Sequence, residues 1–79
     1  MGGTMSHIDR ITVDPAVMGG RPCIRGMRVT AGMILGNLAA GHTIEEILDA
    51  YPYLEREDIL AALEYAAVRA QERDLPLGA

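Results

Sequence analysis

Lysine is absent from this chain of 79 residues, so all seven of its basic side chains are arginines. The single cysteine, Cys23, excludes an internal disulfide bond, and nothing in the cysteine content points to an oxidising compartment. Long apolar runs are also missing, because the stretch 31–40 is only about half of a membrane span and is interrupted by glycine. The N-terminus lacks the basic and then apolar segments of a signal peptide. We therefore expect a cytoplasmic protein without a membrane span.

The length of the chain allows one small domain, whose core supplies roughly a few kcal/mol of stability. Since neither a disulfide nor a metal cluster supplements that core, we expect the chain to associate with a copy of itself or with a partner, and a homodimer is the form that we expect. Residues 1–7 are expected to be disordered or not native to the protein. The domain is expected over residues 8–74, with a β arm at 8–29 and a helical bundle at 30–74. A tail is expected at 75–79.

The segment 19–29, here the arginine arm, concentrates arginine, glycine and proline and contains no acidic residue. Its rough alternation of apolar and polar residues predicts extended backbone, as does the apolar alternation of the preceding segment Ile8 to Val13. Gly20 and Gly26 allow a positive φ, and Pro22 suits the end or edge of a strand. The pattern predicts a short β-hairpin or arm that displays the guanidinium groups of Arg21, Arg25 and Arg28.

A first helix is predicted to begin after Thr30, which has the side chain of a good N-cap, and to end before Gly41. Its apolar residues recur at the helical spacing i, i+3, i+4, i+7 and form one face, made of Ala31, Ile34, Leu35 and Leu38. Gly32 and Gly36 lie one turn apart and weaken this helix. They are explained either by close approach of another helix or simply as tolerated small residues.

Thr43 and Glu46 have the spacing of a capping box, which starts a second helix that Pro52 ends. A third helix is predicted to begin near Glu55 or Arg56, with its acidic first turn facing solvent. Its buried stripe is predicted to contain Ile59, Leu63, Ala66, Ala67 and Ala70, with Leu60 at the margin. The fold class is therefore mainly α, a three-helix helix-turn-helix bundle preceded by a short N-terminal β-hairpin or arm.

The sequence offers no convincing catalytic residue, metal ligand set or cofactor site. Cys23 lies between two arginines, which favours a thiolate, but no oriented acid–base partner accompanies it. The two histidines, His7 and His42, lack the Cys/His spacing of a zinc site. The remaining carboxylates are predicted to lie on solvated helix faces. We therefore expect a protein that is not an enzyme.

Charge is divided unevenly along the chain. Residues 1–37 contain four arginines and two aspartates, a net charge of +2, whereas residues 38–79 contain three arginines and nine carboxylates, a net charge of −6. An acidic helical half is a poor general ligand for polyanions, so any contact with nucleic acid or an acidic protein must use the arginines. Alternatively, an arginine pairs with the chain's own acids. The candidate contact residues are Arg21, Arg25, Arg28, Arg10 and Arg56.

Four segments resemble one small bacterial family. They read GGRPCIRGMRV at 19–29, G-x-T-x-x-E-I-L at 41–48, Y-P-x-L at 51–54 and D-I-x-A-A-L-x-Y-A at 58–66. The family is catalogued as domain of unknown function number four hundred and thirty-three and is often described as antitoxin-like. The resemblance covers about residues 8–68, and the arginine arm is its most specific element.

This resemblance implies a homeodomain-like helix-turn-helix with an N-terminal β element. It also implies a role as antitoxin to a PIN-like ribonuclease encoded nearby, an enzyme class that uses clustered carboxylates and a divalent metal. The positions that match the family motif are Gly20, Arg21, Pro22, Arg25, Gly26 and Arg28. Two positions depart from the family pattern. Cys23 replaces a frequent valine, which favours a packing role, and Glu55 replaces a frequent capping Thr or Ser, which makes the third helix more acidic.

Our preferred hypothesis from the sequence is a non-catalytic, dimeric antitoxin that binds and neutralises a PIN-like ribonuclease through the arginine arm. Binding of its own promoter DNA is a further expected activity. The alternative hypothesis is a stand-alone helix-turn-helix transcriptional regulator that binds DNA without a toxin partner. A small enzyme is the least favoured class, since the chain offers no set of general acid, base and nucleophile.

Overall fold

The computed structural model describes residues 7–71; the expected tail at 75–79 and all but the last residue of the expected N-terminal segment lie outside them. The described chain contains two short antiparallel strands and three α-helices, which confirms the mainly α fold predicted above. The strands are β1 (Ile11–Thr12) and β2 (Cys23–Ile24). The helices are α1 (Ala31–Ala39), α2 (Ile44–Ala50) and α3 (Arg56–Gln71).

Local capping interactions place the first two helices where the sequence predicted them. The Thr30 hydroxyl accepts a hydrogen bond from the Met33 backbone N–H, which starts α1. Gly41, with φ of 100°, follows the end of the same helix. The capping box of α2 is complete, because Thr43 Oγ1 accepts from the Glu46 N–H and Glu46 Oε1 accepts from the Thr43 N–H. These contacts satisfy the backbone groups that a helix end leaves unpaired.

The N-terminal extended segment is shorter than the sequence suggested. Ile8–Arg10 forms a turn of 3₁₀-helix rather than strand, and only Ile11–Thr12 pairs with β2. The Arg10 N–H donates to the His7 carbonyl in this turn at 3.0 Å. Tertiary contacts outweigh the alternating pattern here, since the turn packs on α3 and brings the Arg10 side chain to its first residues.

The core lies where β2, α1 and α3 meet. Fully buried apolar side chains from each element form its centre, namely Ile24 from β2, Ile34 from α1 and Ile59 from α3. The helix α2 contributes Ile47, and Cys23 is buried beside Ile24, which fits the packing role predicted for it. This small core holds the β segment directly against the helical bundle.

The buried face of α3 differs from the predicted one. Ile59 is buried as expected, but Leu63 is 41% exposed, and Ala67 and Ala70 are exposed. The buried positions are instead Asp58, Ile59, Ala61 and Ala62. Alanines recur on several sides of this helix, so their spacing does not select one face. The buried face includes the carboxylate of Asp58, which an apolar pattern does not predict.

The two glycines of α1 are not sites of close helix approach within the described chain. A Cβ atom at Gly36 would meet no atom within 4 Å, and one at Gly32 would meet the Thr30 hydroxyl at 3.9 Å. Of the two explanations offered by the sequence, the structure favours tolerated small residues at these positions.

Candidate functional site

The arginine arm is attached to the rest of the domain through backbone pairing. Ile11 pairs with Ile24 and Thr12 pairs with Cys23 in antiparallel register. An isolated bridge joins Cys23 to Thr30, and the Ala31 N–H donates to the Pro22 carbonyl at 2.9 Å. The arm is therefore fixed to the domain through residues 22–24 and is a structured part of it.

A tight turn from Ile24 to Met27 orients the middle of the arm. The Met27 N–H donates to the Ile24 carbonyl at 2.8 Å, and the two central residues, Arg25 and Gly26, have φ of 47° and 72°. Two successive positive φ values characterise the type I′ turn that suits the twist of paired strands. Gly26 adopts this backbone without strain, whereas Arg25 needs compensating contacts to hold it there.

Arg25 obtains these contacts from both its backbone and its side chain. Its N–H donates to the Arg10 carbonyl at 2.7 Å. Its guanidinium donates from Nε to Asp58 Oδ1 at 3.0 Å and from Nη2 to Asp58 Oδ2 at 2.8 Å. Nη2 also donates to the Tyr53 carbonyl at 3.1 Å. This two-pronged arginine–carboxylate contact is a strong form of ion pair and fixes orientation as well as distance.

Asp58 is the centre of the cluster and is fully buried. Besides Arg25, its Oδ1 accepts from Arg10 Nη1 at 2.9 Å, and its Oδ2 accepts from the Glu55 backbone N–H at 2.8 Å. Arg10 Nη1 also donates to Glu55 Oε1 at 2.8 Å. A single carboxylate therefore caps the start of α3 and connects that helix to both the 3₁₀ turn and the arm.

The electrostatics of this cluster keep the carboxylate ionised. Burial would raise the pKa of Asp58, but the hydrogen bonds from Arg25, from the Glu55 backbone and from Arg10 outweigh it, and the pKa lies below its ordinary value. Hydrogen bonds to Glu55 and Asp58 raise the pKa of Arg10, and the bond to Asp58 raises that of Arg25. The charges in the cluster hold one another in the ionised state.

The five candidate contact arginines consequently fall into different groups. Arg10 and Arg25 are engaged by the chain's own acids, which is the alternative that the sequence left open. Arg56 Nη1 lies 3.5 Å from Glu45 Oε2, with both side chains exposed. Arg21 and Arg28 are exposed, and within residues 7–71 neither forms an ion pair or a side-chain hydrogen bond. Two arginines of the arm, Arg21 and Arg28, are therefore exposed to solvent, whereas the third, Arg25, forms an ion pair with Asp58.

Sequence reasoning missed Asp58, which was predicted to face solvent with the other acids of the first turn. The structure buries it completely, because two guanidinium groups and a backbone N–H satisfy its oxygens. One signal in the sequence could have found it. Asp58 lies three residues after Glu55, the spacing at which an acidic side chain reaches back to the backbone N–H at the start of a helix.

Within residues 7–71, the structure places Cys23 in the core and groups no set of metal ligands. The Cys23 thiol is buried and donates to the Arg21 carbonyl at 3.2 Å. Among residues 7–71, no group of three His, Cys, Asp or Glu side chains is arranged to hold a metal ion. The same residues contain no helix with the length and apolar character needed to cross a membrane.

Comparison with known proteins gives a family but no activity. The family model described as "Protein of unknown function (DUF433)" matches residues 11–66, which include β1, the arm, all of α1 and α2 and most of α3. The chain is 39% identical over 74 residues to "Uncharacterized protein y4eO" of Sinorhizobium fredii. That match covers 86% of this chain but 34% of the relative, so the chain spans about a third of that protein's length. No solved structure matches the chain.

Proposed function

The chain belongs to the DUF433 family, and from this membership together with its two exposed arginines we propose a non-catalytic, antitoxin-type function. In this proposal, Arg21 and Arg28 bind the acidic, metal-binding face of a PIN-like ribonuclease and neutralise that enzyme. The observation that carries the proposal is that these two guanidinium groups are exposed and have no acidic partner within residues 7–71. Guanidinium groups bind carboxylates in a directional, two-pronged way, which suits such a face.

The anchored state of the arm supports this role. The arm is paired with β1, bridged to Thr30 and tied to α3 through Arg25 and Asp58. An arm held in this way loses little conformational entropy when it meets a partner, so more of the interaction energy appears as affinity. Arg25 then acts as an internal support, and Arg21 and Arg28 provide the contact.

Association of two copies forms part of the proposal. Leu63, Ala67 and Ala70 recur at i, i+4 and i+7 along α3, and all three are exposed, with Leu63 at 41%. An apolar stripe that residues 7–71 leave uncovered favours contact with another surface, and a core this small gains stability from such contact. A homodimer would also present two arginine arms.

Charge does not favour DNA recognition through α3, the helix that would read bases in a helix-turn-helix. Glu57 is exposed in its first turn and Glu55 is exposed just before it, whereas Asp58 is buried against Arg10 and Arg25. Arg56 is the basic residue there and lies near Glu45. Carboxylates at that end would repel phosphate groups. We therefore assign any promoter binding to the arms of the dimer and treat it as secondary to the protein partner.

The test is co-expression with a nuclease encoded next to the gene for this chain. The wild-type chain is expected to co-purify with the nuclease and suppress RNA cleavage, whereas the double variant Arg21→Glu, Arg28→Glu is expected to lose at least about a hundredfold in affinity. Arg56→Glu is the matched control, since it reverses an exposed arginine outside the arm. An unchanged complex with the double variant overturns the arm as the contact. A salt-dependent shift of promoter DNA without any nuclease complex would support the regulator instead.

A further inference from the structure

A cleft of about 230 Å³ lies between the C-terminal end of α1 and the helix α2, and its lining residues are separate in sequence from the arginine arm. Its floor contains Ile47, which is buried, and the small side chain of Ala50. Its polar lining comes from Asn37, His42, Glu46 and Tyr51. None of these six residues takes part in the cluster around Asp58, so the cleft is a separate feature of the domain.

The hydrogen-bonding groups of this lining are only partly used by the chain itself. Asn37 Nδ2 donates to the Met33 carbonyl at 2.8 Å, which leaves its Oδ1 as an unused acceptor among the described residues. Glu46 Oε1 accepts from the Thr43 N–H and lies 3.6 Å from His42 Nδ1, while its Oε2 has no described partner. The Tyr51 hydroxyl is likewise without a partner within residues 7–71. Unused acceptor oxygens are therefore available on all three of these side chains.

The charge of the cleft is negative. Glu46 supplies a carboxylate, and the lining contains no arginine. The hydrogen bond from the Thr43 backbone is the main cause that lowers the pKa of Glu46, so this side chain stays ionised at neutral pH. An aromatic ring, an apolar floor and a negative rim together match a long cationic side chain.

We propose that this cleft binds an arginine side chain on the surface of a protein partner. The aliphatic part of that side chain packs on Ile47, Ala50 and the Tyr51 ring. Its planar guanidinium has enough donors for Glu46 Oε2, Asn37 Oδ1 and the tyrosine hydroxyl, which a single ammonium group could not match in the same flat arrangement. The domain then carries two contact sites of opposite sign, a cationic arm and an anionic cleft. This inference does not depend on the identity or class of the partner that the arm binds.

The experiment uses the full chain and a short Gly-Arg-Gly peptide with both ends blocked, with binding followed by amide chemical shifts in NMR spectra. The neutral control peptide carries citrulline, which has nearly the shape of arginine but no charge. We expect the arginine peptide to shift the signals of the cleft residues in a saturable way and the citrulline peptide to bind at least roughly threefold more weakly. Equal binding of both peptides, or shifts confined to other parts of the chain, overturns the proposal.

Two variants test whether the arginine peptide binds in the cleft. Glu46→Gln removes the charge but keeps the capping box, because glutamine also accepts the hydrogen bond at that position. It is expected to weaken arginine-peptide binding roughly threefold, whereas Glu57→Gln, the same change at an exposed residue outside the cleft, leaves binding unchanged. Ala50→Leu fills the cleft without altering charge and is expected to abolish the saturable shifts. Full binding by both Glu46→Gln and Ala50→Leu would show that the peptide does not occupy the cleft.

Discussion

The Arg25 guanidinium spans both carboxylate oxygens of Asp58, with Nε 3.0 Å from Oδ1 and Nη2 2.8 Å from Oδ2. These residues are 33 positions apart in the sequence, so their contact joins the turn of the arm to the first turn of α3. The carboxylate is fully buried, whereas the arginine side chain is 37% exposed. The position of the arm therefore depends on an acid that lies beneath it.

Replacing this acid should destabilise the whole domain. We expect Asp58→Asn to lower the free energy of unfolding by about 2–3 kcal/mol, because two guanidinium groups lose their shared anion and an amide NH2 group replaces one of its two acceptor oxygens. Urea denaturation followed by circular dichroism measures this change. Glu57→Gln, an exposed neighbour, is expected to stay within about 0.5 kcal/mol of the wild type. Equal stabilities of the Asp58 and Glu57 variants would contradict the central role of Asp58.

The coupling of Arg25 and Asp58 can be measured separately with a double-mutant cycle. Arg25→Gln and Asp58→Asn are each expected to lower the free energy of unfolding. The loss in the double variant should be smaller than the sum of the two single losses, by about 1 kcal/mol or more. The physical reason is that the second change removes a partner that the first has already left unsatisfied. Strict additivity would show that the two side chains contribute independently, in conflict with their two-pronged contact.

Stability should fall in acid partly because Asp58 becomes protonated. Its pKa in the folded state lies below the ordinary value, so its contribution is complete at neutral pH and is lost as pH falls from about 4 through the lowered pKa. The difference in unfolding free energy between the wild type and Asp58→Asn is therefore expected to shrink as the pH decreases over that range. Urea denaturation at a series of pH values tests this. A stability difference that grows as the pH falls would contradict the lowered pKa of Asp58.

Two glycine-to-alanine variants should change stability in opposite directions. Gly26 has φ of 72°, so alanine there is expected to cost about 1 kcal/mol even though its Cβ would meet nothing within 4 Å. Gly36 lies inside α1 with open space at the Cβ position, so alanine is expected to stabilise the domain by about 0.5–1 kcal/mol. Thermal unfolding of both variants provides the comparison. A destabilising Gly36→Ala would indicate that a second chain packs closely on that face.

The proposed homodimer should depend on the outer stripe of α3. Leu63→Glu is expected to shift the mass in sedimentation experiments from dimer to monomer, because a carboxylate would be buried without a partner. Val13→Glu is the control, since Val13 is an apolar residue with 63% exposure outside that stripe. Monomeric wild-type protein at all accessible concentrations would refute the dimer, and an unchanged dimer mass in the Leu63 variant would refute this interface.

Local sequence was sufficient to predict the limits of the first two helices. Thr30, Gly41 and the pair Thr43 and Glu46 act on backbone groups within a few residues of themselves, so their effects can be read without a tertiary structure. The positive φ predicted for Gly26 was confirmed for the same reason. Asp58 and the face of α3 could not be predicted in this way. The acids around Asp58 look alike in sequence, and alanines occur on several sides of the helix.

By itself, the sequence determined the mainly α architecture, the short N-terminal β element and the positions of the caps, because these follow from side chains and backbone groups close to one another along the chain. The structure showed that the β element pairs within the chain, Ile11 with Ile24. Only the tertiary structure decided which arginines are available for a partner. Arg10 and Arg25 meet Asp58 across separations of 48 and 33 residues, whereas Arg21 and Arg28 remain exposed. The physical reason is that an ion pair depends on distance in space and on burial, and the folded core sets both.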